Sequence, residues 1–123
     1  MTKEQFKQLF LNLTEYTTPF GEESKLEKYL PSGYKKDPVG NYYYQIGNSE
    51  TLFTTHLDTF STEYEKINQI IDEDDPYKIK TDESTILGGD NKLGCTILIG
   101  MIENNIPGTY YFFQGEESGM VGA

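Results

Sequence analysis

The spacing of hydrophobic positions changes several times along the chain, and each change marks an element. Phe6, Leu9, Phe10 and Leu13 recur at three- and four-residue intervals, the pattern of a helix with one apolar face. Thr2 and Gln5 precede them at the spacing of a capping box, in which each residue's side chain satisfies the other's backbone N–H. Thr17-Thr18-Pro19-Phe20-Gly21 breaks that helix. A second short helix is predicted over about Glu22 to Leu30, with Leu26, Tyr29 and Leu30 on one face and Pro31 as its stop.

The period then shortens. After the turn residues Asp37-Pro38-Val39-Gly40-Asn41, Tyr42, Tyr44 and Ile46 alternate as in a strand. Leu52 to His56 reads as a short buried strand that ends in polar residues. Between Ile67 and Ile86 the alternation is weaker and is centred on Asp72-Glu73-Asp74-Asp75-Pro76, which predicts a β excursion with an exposed acidic turn. A long helix is predicted from about Asn91 to Asn104, burying Gly94, Ile97, Leu98, Met101 and Ile102. Thr109 to Gln114 is rich in aromatic residues and β-prone, and Gly115-Glu116-Glu117-Ser118-Gly119 turns the chain after it. Helices, then strands, then strand–helix–strand is the order of an α/β protein. The expected architecture is a three-layer sandwich around a central mixed sheet.

Composition narrows the functional classes. The 123 residues suit one compact domain, and ten tyrosines with seven phenylalanines can supply its core. A net charge of -10 excludes nucleic acid and anionic membranes as expected partners, because both attract basic surface. The same charge suits cations. A single cysteine, Cys95, rules out an internal disulfide and is expected to be a small core residue. The polar N-terminus lacks a signal-peptide core, and no apolar run approaches the length of a membrane span. A cytoplasmic location is the expectation.

Three segments place acids or histidine at a strand end or a helix start, where open α/β sheets bind ligands. In His56-Leu57-Asp58-Thr59, residues two apart on an extended backbone face the same way, so Asp58 can orient the His56 imidazole toward a metal. The plainer alternative is a polar strand end with a hydrogen-bonded histidine. In Gly88-Gly89-Asp90-Asn91-Lys92-Leu93-Gly94, Asp90 stands where a helix N-cap belongs and is either that cap or a ligand. In Gly115-Glu116-Glu117-Ser118-Gly119, two adjacent carboxylates repel each other. A cation relieves that repulsion with one as ligand and the other as base; otherwise the segment is a solvated acidic turn.

In this order and spacing the three motifs resemble those of the co-catalytic zinc metallopeptidase and amidohydrolase family. That family includes peptidase T, glutamate-releasing carboxypeptidases, aminoacylases and diaminopimelate desuccinylases. Thr18-Pro19-Phe20-Gly21-Glu22-Glu23 and Asp37-Pro38-Val39-Gly40-Asn41 also resemble the family's N-terminal segments, so the likeness spans nearly the whole chain. Asn91 leans toward the peptidase T branch.

The resemblance implies a zinc-peptidase-like phosphorylase/hydrolase fold and hydrolysis of peptides or N-acyl amino acids. It implies Zn2+, with Co2+ or Mn2+ as substitutes, held by His56, Asp90 and Glu117. Asp90 would bridge two ions, Glu116 would be the general base, and Asp58 would support His56. The Asp90–Asn91 peptide is expected to be cis. The family uses five protein ligands and this chain offers three, His56 being its only histidine. Residues 1–123 are therefore expected to be the N-terminal portion of a catalytic domain, incomplete at the C-terminus and without the lid or dimerisation domain. Metal would be weakly held and activity low in isolation. A complementing C-terminal chain, as in a split enzyme, or a homo-oligomer would be the partner. The rival expectations are a non-catalytic acidic interaction module that keeps the fold, and a calcium-binding surface built on Asp72 to Asp75.

Overall fold

A computed structural model describes residues Met1–Ala123. The chain opens with helix α1, Lys3–Leu13, whose N-terminus carries the expected reciprocal capping box between Thr2 and Gln5. Leu13 is fully buried, and Leu9 packs against the same core. The second helix, Glu23–Tyr29, forms as a two-turn 3₁₀ helix with Leu26 inward.

Six strands follow: β1 Lys35–Lys36, β2 Tyr42–Ile46, β3 Leu52–His56, β4 Gln69–Ile71, β5 Ile79–Thr81 and β6 Gly108–Phe113. Four of them make one mixed sheet in the order β1-β2-β6-β3. β2 is antiparallel to β6, and β3 is parallel to β6. β4 and β5 form a separate antiparallel pair, the predicted excursion, with Glu73, Asp74 and Asp75 exposed at its turn. Helix α2, Gly89–Glu103, connects that pair to β6 and packs on β3 and α1.

The strand alternation decides where the core lies. Tyr42 and Tyr44 of β2 and Tyr110 and Phe112 of β6 point to one face, where α1, α2 and the 3₁₀ helix cover them. Burying each such side chain contributes about 1.5–3 kcal/mol. Tyr43, Tyr111 and Phe113 point to the other face and stay half-buried, Tyr43 stacked on Tyr111 and Phe113 tilted against it. The expected mixed sheet is present, with helices packed on the first of these faces.

Two local expectations need correction. β3 lies at the sheet edge instead of its interior, with Leu52 exposed and only Thr55 and His56 buried. α2 buries Cys95, Leu98, Ile99 and Ile102, whereas Ile97 is 44% exposed and Gly94 and Met101 are half-buried. The helix is apolar almost all round, so periodicity alone gave it no unique inward face.

Candidate metal centre

Two parallel strands end side by side and deliver the three motifs to one place. His56 closes β3 directly opposite Phe113 of β6, and the Glu116–Glu117 turn begins three residues after Phe113. Such carboxyl ends are where α/β sheets bind ligands. The start of α2 supplies Asp90 from the side.

The imidazole of His56 is buried and oriented from both sides. Its Nδ1 lies 2.8 Å from the backbone carbonyl of Asp58. A carbonyl only accepts, so Nδ1 carries the proton and donates. In the neutral ring, Nε2 therefore presents a lone pair. The Cys95 thiol, 3.2 Å from the His56 carbonyl, donates to it from below. Burial pushes that thiol's pKa up to about 11, so it remains protonated.

Nε2 faces oxygen. Asp90 Oδ1 is 3.0 Å away, Glu116 Oε2 3.5 Å and Glu117 Oε1 3.8 Å. Ligand atoms of His56, Glu116 and Glu117 all lie within 4.8 Å of one another. Donors held tetrahedrally at about 2.1 Å from a first-row cation sit about 3.4 Å apart, so this donor set has the spacing of such a site. One imidazole nitrogen among carboxylates suits zinc, manganese or cobalt better than calcium, which takes oxygen alone.

The electrostatics are those of crowded negative charge. Burial raises the pKa of Glu117, and the charges of Asp90 and Glu116 raise it further. Burial pulls the His56 pKa down. The hydrogen bonds to the Asp58 carbonyl and the Asp90 carboxylate, helped by the charges of Asp58 and Glu116, outweigh it and leave the ring more basic than usual.

Asp58 stands beside the His56 imidazole and serves the glutamate turn as well. Its carboxylate is fully buried and stands 3.4 Å from Nδ1. Its oxygens also accept the backbone N–H groups of Glu116 at 3.0 Å and Glu117 at 2.9 Å. One residue thus holds the imidazole through its carbonyl and the two glutamates through its carboxylate.

Asp90 is not the helix cap. Its backbone and that of Asn91 are non-helical, the peptide between them is cis, and the Asp90 side chain is 82% exposed. Asn91 Oδ1 accepts from Gly94 N–H at 3.1 Å and takes the capping role. That leaves the Asp90 carboxylate free to face His56. Lys92 is fully buried and donates to the Leu13 carbonyl at the end of α1 and to the Thr18 hydroxyl. Sequence reasoning missed Glu23, which is buried and accepts from Gly115 N–H; only its place in the Thr18–Glu23 segment hinted at a role.

No protein-family model matches the chain, and no curated protein does. Solved structures do. A tripeptidase from Staphylococcus aureus is similar with a TM-score of 0.78 and 24% identity, over 99% of this chain and 39% of that one. The aminopeptidase PepT from Bacillus cereus is similar with a TM-score of 0.74 and 26% identity, over 99% and 39%. PhTET1-12s, a dodecamer in its asymmetric unit, matches more distantly at 0.54 and 15% identity, over 99% and 63%. This chain spans about two fifths of the length of the first two. Over its whole length it has the fold of these peptidases, the fold its motifs resemble.

Proposed function

We propose that this chain carries the metal-binding core of a hydrolase for peptide or N-acyl amide bonds, aminopeptidase- or tripeptidase-like in type. The observation that supports the reading best is one imidazole nitrogen facing three carboxylates at donor spacing, at the ends of two parallel strands. His56, Asp90 and Glu117 are the proposed ligands of a divalent ion, zinc in the first place. The similarity to a tripeptidase and to PepT favours peptide substrates.

When bound, divalent ions in such a site lower the pKa of a water and polarise the scissile carbonyl. The chain's own groups do the rest. Glu116 accepts the proton of the attacking water at a carboxylate oxygen and passes it to the leaving amine nitrogen. Asp58 keeps Glu116 and Glu117 in place through their backbone N–H groups. The Asp58 carbonyl fixes the His56 tautomer.

His56 is the only histidine of the chain. Further nitrogen donors for a two-metal centre would come from another polypeptide segment, and residues 1–123 are proposed as the N-terminal part of the catalytic domain. We expect weak metal binding and little turnover from this chain alone. Isothermal titration with Zn2+ tests the reading. Wild-type protein should bind, while His56→Ala and Glu117→Gln should each weaken binding by roughly tenfold or more. Equal binding by all three would remove these residues as ligands. Where a complementing chain restores turnover, Glu116→Ala should abolish turnover and keep the metal.

A further inference from the structure

We propose that the segment Thr18–Glu23 is a clasp that positions all three ligand-bearing motifs, with Glu23 as the positioning residue of the Glu116–Glu117 turn. The functional consequence rests on the metal-centre reading; the clasp itself does not.

Each motif is tied to this short segment. Thr18 N–H donates to the Thr59 hydroxyl at 2.9 Å, and Thr59 N–H donates to the Thr18 carbonyl at 2.8 Å, which fixes the chain leaving His56 and Asp58. The Thr18 hydroxyl accepts from Lys92 Nζ at 2.8 Å, and Lys92 lies two residues beyond Asp90. Glu23 Oε2 accepts from Gly115 N–H at 2.8 Å, immediately before Glu116. Phe20 lies over the same glycine, so that a Cβ on Gly115 would meet its ring at 2.8 Å.

Glu23 has the attributes of a device rather than a surface acid. It is 1% exposed, and none of the ion pairs involves it. Burying a carboxylate without a cation is costly unless hydrogen bonds satisfy it. Here its two oxygens accept only backbone N–H groups, those of Gly21 at 2.6 Å and Gly115. Both glycines sit at positive φ, 98° and 64°, in turns that offer these N–H groups no ladder partner. The two turns are therefore pinned to each other through one side chain. A glutamine keeps the shape but turns one acceptor into a donor, which releases one of the two N–H groups.

The test compares Glu23→Gln and Glu23→Ala with Glu27→Gln, a carboxylate of the same helix whose hydrogen-bond partners are Tyr34, Lys36 and Tyr42 and none of the metal motifs. Two quantities are read where all variants are folded: amide hydrogen exchange at Gly115 by NMR, and Co2+ affinity by titration. Glu23→Gln should speed Gly115 exchange and weaken Co2+ binding by about tenfold, Glu23→Ala should do more, and Glu27→Gln should change neither. Wild-type exchange and affinity in Glu23→Gln would overturn the clasp. Should the wild type bind no Co2+, the metal reading falls and Gly115 exchange alone decides. If the Glu23 variants do not fold, Thr59→Val, which removes the hydroxyl that accepts the Thr18 N–H, takes their place. Faster exchange of the Thr18 amide is then the expected result, and an unchanged rate overturns the proposal.

Discussion

Asp58 is the side chain on which most of the site geometry converges. Its two oxygens accept the N–H groups of Glu116 and Glu117, and no solvent reaches it. Asp58→Asn would oppose one of those N–H groups with an NH2 donor, at a cost of about 1–3 kcal/mol. Urea unfolding should show the loss; an unchanged midpoint would mean the turn is held elsewhere. Glu27 supplies one part of the pH dependence. Hydrogen bonds from the Tyr34 and Tyr42 hydroxyls hold its pKa at about 2, against an ordinary 4.5. At Glu27 the folded state thus binds fewer protons than the unfolded chain between about pH 2 and 4.5. Its contribution is complete above about pH 4.5 and disappears as the pH falls toward 2. Glu27→Gln should therefore lose less stability than wild type between pH 5 and about 3, measured by urea midpoints; parallel curves would contradict this. The spacing of His56 and Asp58 made their proximity legible in sequence. That the Asp58 carboxylate would serve a turn far along the chain was not, because a long-range partner leaves no local pattern. The burial of Glu23 and Lys92 was illegible for a related reason: glutamate and lysine are read as surface unless their partners are known.

At the scale of elements, the start of α2 decides how Asp90 is presented. Asn91 caps the regular helix through Gly94 N–H, so Asn91→Ala should cost about 1 kcal/mol. Gly94 is needed because the Asn91 side chain and the Thr55 hydroxyl occupy the space of a Cβ, the latter at 2.7 Å. Gly94→Ala should then lower stability by about 1–3 kcal/mol through overpacking. Thermal unfolding of both variants checks the pair, and a neutral Gly94→Ala would show that the helix can shift at its first turn. The capping box of α1 and the alternation of β2 were legible because each is a local pattern carried by one face. The inward face of α2 was not. Ile97 and Ile99 are equally apolar, and only packing against both α1 and β3 chooses between them. The edge position of β3 was hidden similarly, since an apolar run does not reveal how many neighbours a strand has.

For the whole molecule, the order of elements led to the mixed sheet, and three motifs far apart in sequence met where two parallel strands end. The charge of -10 concentrates its effect there, where Asp90, Glu116 and Glu117 surround one imidazole. A cation that binds only the folded chain must stabilise it by mass action, so Zn2+ in excess of its dissociation constant should raise the unfolding midpoint of wild type and not of His56→Ala. No helix is long and apolar enough to cross a membrane. The most direct measurement is anomalous diffraction at the zinc edge from crystals grown with Zn2+. The account predicts zinc density about 2.1 Å from His56 Nε2 and a carboxylate oxygen of Asp90, with a second ion between Asp90 and Glu117 where it is occupied. An empty position there, or a peak only at the Asp72–Asp75 turn, would contradict it.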